Sequence, residues 1–219
     1  TLSLSTIRLD LTQIASSNKS THVSHIKLLI DEYSDHIICL TDGSKSINRT
    51  AYAFSIDNKI VSHRIRNIAS VSTAELMAIF SCLSQLSHLP PNSKYILLTD
   101  SLSSLHLIAD PYSTNPLIQR IHLTLILRHH LNMDSGPCRF SPHDDVDAAA
   151  IQAVSFSGIT DKSESPATDY RNHYRSLILE SWKTFWQNQH GNKLPSIKNP
   201  PLGPLLTEPQ DEKKLHSLA

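Results

Sequence analysis

The sequence predicts an α/β domain with a mixed five-stranded sheet, helices on both faces, and a C-terminal helical extension. Three observations carry that expectation. Three short β-prone runs joined by turn signals have the form of an antiparallel meander. A helix-period segment then leads into a continuous apolar strand, of the kind buried on both faces. Two more helices, a weak strand and a last helix complete an order that implies a mixed sheet with helices packed on it.

Residues 1–35 are polar with scattered apolar positions and read as a linker or helical lead-in. The meander follows as "HIICLTD" (36–42), "RTAYAFSID" (49–57) and "KIVSHRI" (59–65), with a tight Asp57-Asn58 turn in the second connection. "STAELMAIFSCLSQLSHLPP" (72–91) repeats Leu76, Ile79, Phe80, Leu83 and Leu86 at helical spacing. Ser72 or Thr73 offers its N-cap, and Pro90 and Pro91 stop it. "KYILLTD" (94–100) is the buried strand, and "SLSSLHLIAD" (101–110) a short helix. "NPLIQRIHLTLILRHHL" (115–131) is a longer helix with Pro116 suited to its first turn. "GPCRFSP" (136–142) reads as the weak strand, and "DDVDAAAIQAVSF" (144–156) as a helix opened by acids that favour its dipole. The core domain is thus expected over residues 36–158.

Composition changes after Ser165. Residues 165–190 form an expected amphipathic helix with Tyr170, Tyr174, Leu177, Ile178, Trp182, Phe185 and Trp186 on one side and Asp169 as its cap. Residues 191–219, rich in Pro and charge, read as a disordered tail.

Hydrophobic residues make up 39% and charged residues 18% of the 219, as suits a globular core. A formal net charge of zero means that overall basicity does not advertise nucleic acid, so such binding would rest on local Lys and Arg. Cys39, Cys82 and Cys138 are far apart with no Cys-x-x-Cys, which disfavours a zinc knuckle or a disulfide framework and points to a reduced intracellular setting, cytoplasm or nucleus. The sequons at Asn18 and Asn48 carry little weight against that. No signal-peptide pattern or membrane-spanning apolar run is present, so no membrane partner is expected. A chain that opens on Thr1 rather than Met is expected to be part of something longer.

Two strands end alike. "ICLTDGSKS" (38–46) and "YILLTDSLSSL" (95–105) each run from apolar residues through Thr to Asp and a small polar residue. If these strands are neighbours, Asp42 and Asp100 meet, and Glu75 approaches from the first turn of the helix between them. Asp147 sits in the first turn of the last core helix. Carboxylates gathered in this way repel one another unless cations are bound, which implies hard divalent ions. The plainer readings are a hairpin-turn Asp42, an N-capping Asp100, and Glu75 and Asp147 as solvated first-turn charges. Four acids in this arrangement outweigh them.

In order, "LTDGS", "TAELMAI", "LLTDSLSSL" and "DDVDAAA" resemble the type 1 ribonuclease H family. More narrowly, they resemble the domain near the C-terminus of insect non-LTR retrotransposon polyproteins, as does the trailing "ATDYRNHYRSLILESWKTFWQNQHGNKLPSIK". The resemblance implies an RNase H-like fold that cleaves the RNA strand of RNA–DNA hybrids with two Mg²⁺ ions, or Mn²⁺ in their place. It makes Asp42, Glu75, Asp100 and Asp147 the metal-binding catalytic acids. Gly43, Ser44, Lys45 and Ser101 would touch the hybrid backbone or shape turns. It also implies a reverse transcriptase upstream, absent from this chain; a monomer is expected.

One region departs from the family, whose last strand carries "W-[VI]-P-S-H", a glycine-containing loop and "N-E-x-x-D". Here only "CRFSPHDDVDAAA" is found, with Phe140 near the tryptophan position. The resemblance would make His143 the counterpart of a mobile histidine that assists product release, an ordinary surface histidine being the plainer reading, and the loop from His143 to Asp147 is several residues short. Asp147 is preferred to Asp145 because "AAA" continues from it, while Asp144 and Asp145 read as surface acids. The alternative reading is a degenerate domain that binds nucleic acid or supports a polymerase without cleaving. An integrase-like nuclease fits the order Asp, Glu, Asp, Asp less well.

Overall fold

The computed structural model describes residues 6–8, 31–86, 88–89, 93–126, 131–135 and 141–188. Its sheet contains the expected meander: β2 (Ile37–Ser46), β3 (Arg49–Ile56) and β4 (Lys59–Ile65) pair antiparallel. Asp57 and Asn58 join the last two with φ of 51° and 61°. Those left-handed values match the twist of a two-residue hairpin, and Asp and Asn tolerate them better than most side chains.

Helix α1 (Val71–Leu86) crosses over to β5 (Tyr95–Thr99), which pairs parallel with β2 and sets Thr99 opposite Thr41. Ser70 caps this helix by accepting the Thr73 amide at 3.1 Å, so the cap stands ahead of the expected Ser72 or Thr73. Pro90 and Pro91 lie outside the described residues. Helices α2 (Leu102–Ala109) and α3 (Pro116–Ile126) then lead to β6 (Leu131–Ser135), parallel to β5.

The last strand therefore lies before the expected 136–142 segment. Asn132 and Asp134 are poor strand formers that masked it, and pairing with buried β5 overrides their propensity. Residues 136–140, with Phe140 and Cys138, lie outside the described residues. Ser141 to His143 belong instead to helix α4 (Ser141–Val154).

The sheet also has a sixth strand. β1 (Thr6–Arg8), within the expected lead-in, pairs parallel with β6 and gives the order β1-β6-β5-β2-β3-β4. Three residues are too few to show a period, which is why the edge strand was illegible. The rest of the lead-in before residue 31 lies outside the described residues.

Period-two alternation divides the core between two faces. Cys39, Tyr52, Phe54 and Leu97 meet Leu76, Ile79 and Leu83 of α1 and Ile118 and Ile121 of α3 on one face. Leu40, Ala53, Ile96 and Leu98 meet Val146 and Ala150 of α4 on the other. Each large aliphatic side chain so buried stabilises by about 1.5–3 kcal/mol. A mixed sheet with helices on both faces is the fold class the sequence predicts, and it is the one adopted.

After α4 the chain returns to the meander: the Thr160 and Asp161 amides donate to Arg64 O, and the Tyr52 hydroxyl donates to the Asp161 carboxylate at 2.8 Å. Helix α5 (Ala167–Gln187) follows. The chain divides into two compact units, residues 1–173 and 174–219, so the first turns of α5 belong to the larger one. Within the smaller unit Trp182 stacks on Trp186 at 6.0 Å between ring centres, and Phe185 meets both edge-on. These three rings remain exposed. The tail beyond residue 190 lies outside the described residues. Among the described residues no helix is long and apolar enough to cross a membrane.

Candidate metal centre

The site forms where β2 and β5 lie parallel and their neighbours differ in length. β5 ends at Thr99, opposite Thr41, so Asp100 just past that end lies beside Asp42. Asp42 is inside β2 rather than at the expected strand end, because pairing with β3 carries β2 on to Ser46. Alternation sends Leu40 to the α4 face, and Asp42, two residues on, shares that direction. Asp42 is 6% exposed, whereas Asp100 is open to solvent.

Glu75 comes from the other layer, and Gly43 admits it. A Cβ on Gly43 would stand 2.6 Å from the Glu75 amide nitrogen and 3.0 Å from the Ala74 carbonyl carbon. Only a residue without a side chain lets the first turns of α1 press against β2 there. Glu75 is 7% exposed, and its Oε2 is buried without a hydrogen-bond partner.

The electrostatics record this crowding. Burial, then the charges of Asp100 and Asp147, push the Asp42 carboxyl up to about 7. Burial, then Asp42 and Asp100, push Glu75 up to about 9, with Asp147 adding a smaller share. The Gly43 amide opposes both shifts by hydrogen bonding. Raised proton affinity of this kind means that a bound cation would compete with protons for these carboxyls.

His143 is the residue whose place differs most from expectation. It is 3% exposed rather than a loop residue, stands in the first turn of α4, and its Nε2 has no partner. One ligand atom each from Asp42, Asp100 and His143 lie within 4.8 Å of one another. The family-like loop between His143 and Asp147 does not exist here, because both residues lie on α4 one helical turn apart. Glu75 and Asp147 both stand outside that three-residue group; Asp147 is exposed, and its charge reaches Asp42 and Glu75. Asp144 and Asp145 are exposed.

The donor set fits a divalent cation. Two buried acids with raised proton affinity, an accessible acid beside them, and orphaned atoms on Glu75 and His143 are what a bound ion would satisfy.

The expected hybrid-contacting residues are placed as follows. Gly43 provides the close approach already described. Lys45 donates to Ala69 O at 2.7 Å, bracing the segment ahead of α1 together with Thr50, which donates to the same oxygen at 2.9 Å. Ser101 occupies the N-cap position of α2 and bonds Ser104 at 2.8 Å. Ser44 is half-buried on β2.

No protein-family model and no curated protein matches the chain. Among solved structures it is similar to the crystal structure of RNase H1 from the halophilic archaeon Halobacterium salinarum NRC-1. That similarity has 19% identity and a TM-score of 0.42, over 54% of this chain and 96% of that one.

Proposed function

We propose that this chain is a divalent-metal-dependent nuclease of the ribonuclease H type that hydrolyses the RNA strand of RNA–DNA hybrids. The observation that carries the reading is the convergence of Asp42 and Asp100 from adjacent strands with Glu75 buried beside them. In this reading Asp42, Glu75 and Asp100 hold the cation, and Asp147 stands at the exposed side as an outer charge. Two bound divalent ions would stabilise charge on the phosphate oxygens and supply a hydroxide at neutral pH. The chain's own acids bind, orient and exchange protons for the ions; Gly43 and the capped first turn of α1 keep Glu75 in position. Contact with 2′-hydroxyls and backbone would select the RNA strand without reading bases. The narrower resemblance of these motifs and of the trailing segment to non-LTR retrotransposon polyproteins supports a retrotransposon origin, in which a reverse transcriptase would be the functional partner.

A second, non-cleaving reading is favoured by one observation: of the four expected metal-binding acids only Asp42 and Asp100 lie in the close group, Glu75 and Asp147 both standing outside it. Labelled hybrid incubated with the purified chain in Mg²⁺ and in Mn²⁺, beside Asp100→Asn, separates the two. Metal-dependent cleavage lost in the variant supports the nuclease. Hybrid bound but uncut in either metal supports the second reading.

A further inference from the structure

We propose that His143 is itself a metal ligand. With Asp42 and Asp100 it forms a mixed nitrogen–oxygen site that takes Mn²⁺, Co²⁺ or Zn²⁺ in preference to Mg²⁺. The inference rests on the metal-binding part of the reading above and goes beyond it in ligand and in ion.

The buried histidine sets this site apart from a plain cluster of acids. His143 is only 3% exposed, and its Nε2 has no hydrogen-bond partner among the described residues. A buried polar atom left unsatisfied costs about 1–3 kcal/mol, so an orphan there invites an occupant. The ring offers a nitrogen within 4.8 Å of oxygens from both Asp42 and Asp100, close enough for one ion to be shared by all three.

The placement is held from behind. Val146 and Ala150, one and two turns along α4, pack on Leu40, Ile96 and Leu98. Leu40 precedes Asp42 by two residues on the same strand face, so one packed layer positions both the histidine and the aspartate. Asp147, four residues after His143, stays exposed on the next turn and adds negative charge without joining the group.

Ligand chemistry then sets the choice of ion. Mg²⁺ is a hard cation that prefers oxygen donors and sheds water reluctantly. Imidazole suits transition-metal ions, whose affinities rise from Mn²⁺ through Co²⁺, with Zn²⁺ also accommodated. Replacing an oxygen donor by the His143 ring therefore shifts the preference toward these ions.

The test uses the metals alone, on the full chain and on His143→Asp and His143→Ala. Electron paramagnetic resonance of the Mn²⁺-loaded chain should show coupling to a ring nitrogen, absent in His143→Ala. Thermal shifts should show Mn²⁺ and Co²⁺ saturating at lower concentration than Mg²⁺, with His143→Asp moving the order back toward Mg²⁺. Absence of nitrogen coupling in the unaltered chain, or its persistence in His143→Ala, overturns the proposal. So does an unchanged metal order in a folded His143→Asp. These readouts are independent of cleavage. Nitrogen-coupled metal in a chain that cuts no hybrid would sink the nuclease reading alone. Vigorous Mg²⁺-dependent cleavage without nitrogen coupling would sink only this inference.

Discussion

The Thr73 hydroxyl donates to the buried carboxylate of Asp169 at 2.7 Å, joining the first turn of α1 to the first turn of α5. Thr73 also receives the Ser70 cap and precedes Glu75 by two residues. Asp169, expected from the sequence to cap its own helix, is thus a brace on the helix that carries a site carboxylate. Asp169→Ala leaves a buried hydroxyl without its acceptor and should lower stability by about 1–3 kcal/mol. Denaturant unfolding measures that loss. Metal titration should show weaker binding as well; unchanged metal affinity would confine Asp169 to a stability role.

Gly43→Ala should be more disruptive than an ordinary exchange on a strand. The new methyl would meet backbone atoms at 2.6 and 3.0 Å, so α1 must move away from β2. Overpacking of this kind costs about 1–3 kcal/mol. The displacement also withdraws Glu75, so metal-induced stabilisation should fall together with basal stability. A variant with full metal response would show that Glu75 does not depend on this contact.

Without metal, stability should fall as pH rises. Asp42 moves from 3.8 to about 7 and Glu75 from 4.5 to about 9, so the native state binds more protons than the unfolded chain across those intervals. The stabilisation is fully present below the unfolded values and is lost as pH climbs through the folded ones. Melting temperatures measured in chelator across this range should decline. Asp42→Asn should flatten the decline between about 4 and 7. Saturating Mn²⁺ should reverse the trend, because ion binding releases the same protons.

The acids should differ in weight. Asp100→Asn removes a member of the three-residue group and should abolish most of the metal-induced rise in melting temperature. Asp147→Asn alters only an exposed neighbouring charge and should retain most of that rise. Equal losses in the two variants would place Asp147 among the direct ligands.

Lys45→Met should lower stability by about 0.5–1.5 kcal/mol, because its ammonium donates to Ala69 O ahead of α1. The readout is chemical denaturation with no nucleic acid present. Unaltered stability with weakened hybrid binding would return Lys45 to the contact role expected from the sequence.

Local periodicity and turn chemistry are readable from the residues alone. The meander with its Asp57-Asn58 hairpin, the buried run of β5, the helical spacing of α1 and Asp100 at the end of β5 were all legible from the residues, whereas Asp42 lies inside β2, which pairs with β3 as far as Ser46. The matching Thr-Asp ends of the two apolar runs made it foreseeable that Asp42 and Asp100 would be neighbours once β2 and β5 paired parallel. Tertiary structure decided the rest, because those features depend on which distant segment arrives. β1 is a strand only because β6 offers it an edge, and β6 itself survives Asn132 and Asp134 because β5 pairs with it. His143 looks like an ordinary polar residue in "SPHDD" until α4 starts early and packs it against the aspartates. Lys45 and Asp169 likewise found partners 24 and 96 residues away, at distances where neither period nor propensity carries information.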